Sequence, residues 1–372
     1  VTEETAAERR ASWLELFFDL CFVVSVGALA VGLHKDPTTE GVLRFALLFV
    51  PVWWAWMGWT WFLSALPSED GVTRVGVLSA MLGVIALAAA ITAAPQDGGT
   101  AFAIVYAGLF ALLAALQARA WRSAGPARPF FARYAAGYLV GAAAWLASAA
   151  LTGEAALAVR VGAMAVLMAT PVVAVLAIPE RRFDAAHIRE RYGLFTIIVL
   201  GESIVAVVAG TRDAAWSLLP TLTAAAGFVI GAAIWWIYFE GVSGSVLRRD
   251  RVAAAFTWGY GHALLFAGIA AAAVGVEFAV EAQVDGTMLE GWPRAILGGG
   301  LAAFLAAVAV VQVVTVRRAD SVVAVRAAGA LAALLLAAAP VAIEGLTATV
   351  GAALLLLVVA LIEAAVARGA GR

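Results

Sequence analysis

The chain is organised by long apolar runs broken by short polar punctuation. Runs bounded by charged or turn-forming residues fall at about 13–33, 42–63, 73–93, 100–121, 131–151 and 156–177. Six more fall at 192–210, 217–239, 251–277, 292–316, 322–339 and 342–366. The runs are continuous rather than alternating with period two, which excludes the strands of a membrane β-barrel. Each is close to the ~20 residues that an α-helix needs to cross a ~30 Å hydrocarbon layer. The pattern predicts an all-α polytopic membrane protein with about twelve transmembrane helices.

Charge fixes an expected direction. With a cytoplasmic N-terminus, the outside segments hold only Lys35, Arg44, Arg160, Arg212 and Arg294, out of 24 basic residues. The remaining arginines cluster in the alternate segments, including Arg9, Arg10, Arg119, Arg122, Arg181, Arg182, Arg189, Arg191, Arg248, Arg249 and Arg251. The positive-inside rule then places both termini in the cytoplasm. The first ten residues carry three glutamates, unlike the cationic start of a cleaved signal peptide. The expected location is the bacterial cytoplasmic (inner) membrane.

The expected division is a cytoplasmic segment 1–12, a first six-helix repeat 13–177, a cytoplasmic linker 178–191, a second repeat 192–366 and a tail 367–372. A parallel 6+6 repeat has modest support from matched positions. Leu16-Phe17, Ser25 and Gly32 recur as Leu194-Phe195, Ser203 and Gly210. Trp53-Trp54 corresponds to Trp235-Trp236, and Gln117 to Gln312. Transporters build sites at such repeat interfaces near the midplane.

Composition sharpens the class. The chain is 64% hydrophobic and 13% charged, with a mean hydropathy of +0.97. A soluble domain has about 25% charged residues, so this chain cannot cover a water-soluble particle. The formal net charge of −1 gives no reason to expect a nucleic-acid partner. One cysteine, Cys21, cannot build an intrachain disulfide or a thiolate cluster. No nucleotide or metal motif occurs and there are only three histidines, so neither a metal nor another cofactor is expected. The expected partners are the lipid bilayer and a small-molecule or lipid ligand, and the sequence does not specify an oligomeric state.

Candidate chemistry lies in the ionisable residues inside the apolar runs. A charge at a helix centre costs roughly 2.5–3.5 kcal/mol on insertion scales, so its retention points to a partner or a use. Glu202 is eleven residues from Arg191, and His262 eleven from Arg251, which puts both about 16 Å deep along a helix rising ~1.5 Å per residue. Asp19, nine residues from Arg10, falls at ~13 Å, and Glu15 lies one turn before it on the same face. The functional reading is a proton- or ligand-handling cluster of Glu202, His262, Asp19 and Glu15, with Ser203 beside it. The plainer reading is an interhelical hydrogen-bonded clamp, Glu202 neutral or bonded to His262.

A second feature is WWAWMGWTWF, with Trp53, Trp54, Trp56, Trp59 and Trp61 spread around one helix. An interfacial belt does not hold five indoles in nine residues, so part of the set is expected to line a cavity or meet a flat or cationic ligand. Bulky packing against Ala/Gly-rich helices is the alternative. Trp258, four residues from His262, shares its face. Pro51 and Pro171 inside spans could kink their helices around a cavity.

Two stretches, ELFFDLCFVV at 15–24 and HIRERYGLFTIIVLGESI at 187–204, resemble the bacterial low temperature requirement A family. The Trp-rich second span, WLASAAL at 145–151, YGH at 260–262 and LGGGLA at 297–302 fit the same pattern. Cys21 stands where an aliphatic residue is expected. The family name denotes a cold-growth phenotype rather than a reaction, and it implies cold adaptation without a mechanism. The resemblance puts Glu15, Asp19, His187, Glu190, Arg191, Gly201, Glu202 and His262 at motif positions. His187, Glu190 and Arg191 would form a cytoplasmic lip, acting as a gate or headgroup site, or simply anchoring topology. Three readings follow: a proton- or ion-linked transporter-like protein for a small or amphipathic solute, an intramembrane enzyme using general acid chemistry on a lipid or isoprenoid, or a stress-adaptation protein without turnover. No catalytic residue is assigned.

The direction of the chain is directly testable. In a Cys21→Ser background, single cysteines at Asp285 and Ala339 should react with an impermeant reagent from outside. Cysteines at Ser123 and Asp184 should react only from the cytoplasm. External labelling of Asp184 would reverse the arrangement.

Overall fold

The computed structural model describes residues 11–66, 70–176, 185–211, 217–241, 252–316 and 321–370. Among these residues there are twelve α-helices and no strand, only an isolated bridge between Leu289 and Ile343. In order they are α1 Trp13–Lys35, α2 Thr39–Ala65, α3 Gly71–Asp97, α4 Thr100–Ser123, α5 Arg128–Ser148 and α6 Gly153–Leu176. They continue as α7 Ala185–Gly210, α8 Leu218–Gly241, α9 Val252–Asp285, α10 Gly291–Val316, α11 Ser321–Ala338 and α12 Gly345–Ala370. Eleven are long and apolar enough to cross a membrane; α5, which starts with Arg128 and carries Arg133, is the other. The chain is a multi-pass membrane protein.

Helix bounds depart from the apolar runs where polar residues continue a helix. The α7 helix begins at Ala185, so residues 185–191 of the expected linker are helical, and 178–184 lie outside the described residues. The tail from 367 continues α12 to Ala370. The α9 helix runs eight residues past the expected end at 277. Its 34 residues span about 51 Å at 1.5 Å per residue, more than a ~30 Å layer accommodates untilted. Both Pro51 and Pro171 are accommodated inside continuous helices.

By packing, the chain divides into two units, one comprising 1–29 and 50–192, the other 30–49 and 193–372. In the first, α4 packs on both α3 and α5, and α5 on α6. Asp70 caps α3 by accepting from the Thr73 amide at 2.9 Å and pairs with Arg119 of α4. These donors hold the Asp70 carboxyl down at about 2, well below the ordinary range. In the second unit, α9 packs along α10, α10 along α11, and α12 against α8.

Side-chain direction is inverted relative to a soluble protein. On α1, Phe17, Leu20 and Val24 are exposed along one face, while Glu15 and Asp19 are fully buried. Apolar groups outward and charges inward is the arrangement hydrocarbon demands, because an unpaired charge there has no solvent. Trp53-Trp54 and Trp235-Trp236, matched as repeat positions, have opposite environments. The first two are 1% and 0% exposed, the second two 43% and 49%.

Arginine burial qualifies the loop reading. Arg191 and Arg326 are fully buried and Arg294 nearly so. Arg326 is held by the Glu363 carboxylate, at 2.6 and 2.8 Å, and by Gln312. Arg9, Arg10, Arg181, Arg182, Arg212, Arg248, Arg249, Arg251, Arg317, Arg318 and Arg372 lie outside the described residues.

Small residues set the helix spacing in the second unit. A Cβ added at Gly268 of α9 would lie 2.7 Å from the Gly300 carbonyl oxygen and the Phe304 nitrogen of α10. Such backbone-to-backbone approach is how apolar helices associate without a hydrophobic driving force. Gly268→Leu should therefore lower stability by about 1–3 kcal/mol or more, as overpacking of a tight site does. Thermal unfolding in detergent measures this. An unchanged midpoint would mean that the α9–α10 approach is not limiting.

Candidate functional site

The site grows from two pairs of residues at helical spacing. Glu15 and Asp19 are four apart on α1, and His187 and Arg191 are four apart on α7, so each pair presents one face. One pair is acidic and the other basic. All four side chains are fully buried in the first unit. Arg191 makes a two-pronged contact with Asp19, Nε donating to Oδ2 at 2.9 Å and Nη2 to Oδ1 at 2.5 Å. Its Nη1 is 2.9 Å from Glu15 Oε1, and the same oxygen is bonded to His187 Nε2 at 3.0 Å. A guanidinium is matched to this task because its planar fork serves two acceptors at once.

The surrounding helices complete the network. Trp56 of α2 donates its Nε1–H to Asp19 Oδ1 at 2.7 Å, and Arg191 Nη2 reaches the Thr60 hydroxyl at 3.3 Å. The Tyr192 ring stands edge-on to Trp56 at 4.8 Å between centroids. Glu15 also closes the start of α1. Its Oε2 accepts from the Ser12 amide at 2.8 Å, while Ser12 Oγ accepts from the Glu15 amide at 3.2 Å. This reciprocal arrangement is a capping box, and Ser12-x-x-Glu15 is its sequence signature.

The other expected members have different surroundings. In the second unit, His262 is fully buried in an aromatic setting. Its Nδ1 bonds the Trp258 carbonyl at 2.7 Å and its Nε2 lies 3.2 Å from the Tyr238 hydroxyl. Donation from Nδ1 to the carbonyl leaves Nε2 to accept from the phenol, which describes a neutral ring. Trp258 and Phe266 flank it at 4.3 and 5.6 Å. Glu202 is partly exposed, and among the described residues of its unit it makes no hydrogen bond or ion pair. His262 thus has partners other than Glu202. Ser203 bonds the Val199 carbonyl one turn back in α7, and Gly201 faces outward.

The five clustered tryptophans are all buried in the first unit, within 6% exposure. Trp56 is committed to Asp19. Trp53 lies against Trp54 at 5.6 Å, and Trp59 packs between Phe18 and Phe62. The Trp59 indole N–H has no hydrogen-bond partner among the described residues. Of the lip residues, His187 and Arg191 turn inward, whereas Glu190 is exposed and accepts from the Ala11 amide at 3.1 Å. The inward role of Arg191 is signalled in the sequence by the complementary i, i+4 pairing of opposite charges on two motif helices. Thr60 and Tyr238 carried no distinguishing pattern.

Removing one member of a buried ion pair costs about 3–5 kcal/mol because the other charge is stranded. Arg191→Leu should therefore destabilise by that order. The double variant Asp19→Leu with Arg191→Leu should be less damaging, since it leaves the Glu15–His187 pair and strands less charge. Denaturation in detergent distinguishes the two. A double variant worse than the single one would mean that Asp19 and Arg191 do not act as a pair.

No solved structure matches the chain. The protein RA0937 of Rhizobium meliloti (strain 1021), described as uncharacterized, is 27% identical over 295 residues, covering 75% of this chain and 71% of its own. The family profile of the bacterial low temperature requirement A protein (LtrA) matches residues 10–362, which include both charged helix faces, the Trp-rich α2 and Glu202. The chain belongs to the bacterial low temperature requirement A family.

Proposed function

We propose that this protein is a proton-linked transport protein of the bacterial cytoplasmic membrane, acting on a small or amphipathic solute. The observation that supports this reading is a charge count in a fully buried site. Two carboxylates, Glu15 and Asp19, face one guanidinium, Arg191, and one imidazole, His187. Counted over these four described residues, a neutral ring leaves one surplus negative charge and one added proton balances it. Buried charge in hydrocarbon is costly when unbalanced, and on this reading the site holds one exchangeable proton.

In this reading the proton resides on the His187 ring. Glu15 Oε2 accepts from an amide and Oε1 faces the Arg191 Nη1, so the carboxylate is already occupied as an acceptor. Proton loss would unbalance the network and loosen the α1–α7 contact, giving a proton-dependent pair of states of the kind alternating access uses. Glu202, without a hydrogen bond or ion pair in its own unit, is a second carboxylate available to a proton or a cationic solute. A lipid-directed general acid would use Asp19 or Glu202, and at Asp19 it fits less well, because both oxygens are occupied by Arg191 and one also by Trp56.

Proteoliposomes enclosing a pH-sensitive dye test the reading. Pools of small organic solutes added outside should include one that drives proton movement through the wild-type protein. Glu15→Gln balances the network without a proton, so that variant should fold and no longer move protons with the solute. Equal solute-driven proton movement in Glu15→Gln would contradict the assignment.

A further inference from the structure

The hairpin of α4 and α5 carries charges that the buried network does not use. Between Thr100 and Thr152 the chain has four arginines, Arg119, Arg122, Arg128 and Arg133, and no aspartate or glutamate. Arg119 is matched by Asp70. Among the described residues no carboxylate pairs with Arg122, Arg128 or Arg133, and all three are exposed.

The two helices are joined on their buried side by large rings, with Phe110 edge-on to Tyr138 at 5.2 Å between centroids. On the outer side the facing residues are alanines, too short to fill the space between the helices. A groove of about 420 Å³ remains, with Ala111, Ala115 and Ala118 on α4, Ala132 and Ala136 on α5, and Trp121 at the arginine end.

Spacing puts unmatched charge at the mouth of this groove. Ala111, Ala115, Ala118 and Arg122 recur at i, i+4, i+7 and i+11, and Arg128, Ala132 and Ala136 at i, i+4 and i+8. Each face that lines the groove therefore continues into an arginine. Arg128 is fixed in place, its guanidinium over the Trp121 ring at 5.9 Å and its Nη2 donating to the Arg122 carbonyl at 3.2 Å. From Ala111 to Trp121 the groove runs about 15 Å at 1.5 Å per residue, half of a ~30 Å hydrocarbon layer and so the depth of one leaflet.

We propose that the α4–α5 groove binds one anionic phospholipid, with an acyl chain along the alanines and the phosphate held by Arg122 and Arg128. The occupant follows from charge and length together. Two unmatched guanidiniums call for an anion, and the planar fork of arginine suits phosphate oxygens. An apolar groove of one leaflet's depth, on a helix long and apolar enough to cross the membrane, calls for a tail on that anion. A soluble phosphate would leave the groove unused. A peptide would carry backbone groups into hydrocarbon where nothing satisfies them. A second copy packed groove to groove would bring two more unmatched arginines to the same place.

The test uses the full-length protein in detergent, with native mass spectrometry counting the lipid retained from phosphatidylglycerol and phosphatidylcholine of identical chains. Wild type should retain one phosphatidylglycerol and prefer it to phosphatidylcholine about tenfold or more, the order that two arginines at an anionic headgroup provide. The double variant Arg122→Gln with Arg128→Gln changes only exposed side chains, so it should fold and hold the two lipids equally. Ala115→Phe fills the groove and should cut phosphatidylglycerol retention about tenfold while leaving the arginines in place. Equal retention of both lipids by wild type would overturn the proposal. An unchanged preference in the folded double variant, or undiminished retention in folded Ala115→Phe, would do the same. Glycerol phosphate, the headgroup without tails, should compete poorly, and full displacement by an equal concentration of it would mean an anion site without a lipid. A dimer dissociated by Ala115→Phe, with no lipid retained by wild type, would make the occupant a second copy and overturn the proposal equally.

Discussion

The constraint on which the first unit depends is the burial of charge where there is no water to solvate it. Glu15 and Asp19 on α1 have no exposure, and the same is true of His187 and Arg191 on α7. Each group is tolerable only because the others are present. The guanidinium spans both carboxylates, the imidazole shares Glu15, and Trp56 and Thr60 take up remaining hydrogen-bonding capacity. Helix placement follows from this mutual need. The two charged faces fix the rotation of α1 and of the start of α7, and Trp56 draws the middle of α2 against α1. The outward faces are then free to be wholly apolar, as Phe17, Leu20 and Val24 show.

In the proposed reading the same network links stability to function. A structural clamp needs only complementary charge, and a single carboxylate beside Arg191 would provide it. Two carboxylates, one guanidinium and one titratable ring make a site whose balance depends on a proton. The surplus carboxylate is also tied to the end of its helix through the Ser12–Glu15 capping box. In the proposed reading, proton loss from His187 leaves that carboxylate unmatched and so acts on the beginning of α1.

Much of this architecture was legible in the chain. Continuous apolar runs announce membrane helices, and their number follows from spacing. Glu15 and Asp19 stand out because ionisable residues are rare in such runs, and the two family motifs carry all four members of the buried network. The partners were harder to read. Depth along a helix, measured from terminal arginines, places Glu202 and His262 in one band but carries no information about rotation. His262 bonds Tyr238 and the Trp258 carbonyl instead. Arg191 reads as a cytoplasmic lip residue because an arginine at a helix start usually marks the headgroup boundary, and only the matching spacing of His187 and Arg191 betrays an inward role. The tryptophans were conspicuous by number, but composition does not distinguish an aromatic core from a ligand wall.

The central claim is that one proton balances the buried network and resides on His187. Nitrogen-15 magnetic resonance of histidine-labelled protein in bilayers addresses it directly, since the chain has only three histidines. The account predicts a His187 ring protonated on both nitrogens in the balanced wild-type network. It predicts a singly protonated ring in Glu15→Gln, where the remaining charges already cancel. A singly protonated His187 beside an ionised Glu15 in the wild-type protein would contradict the account.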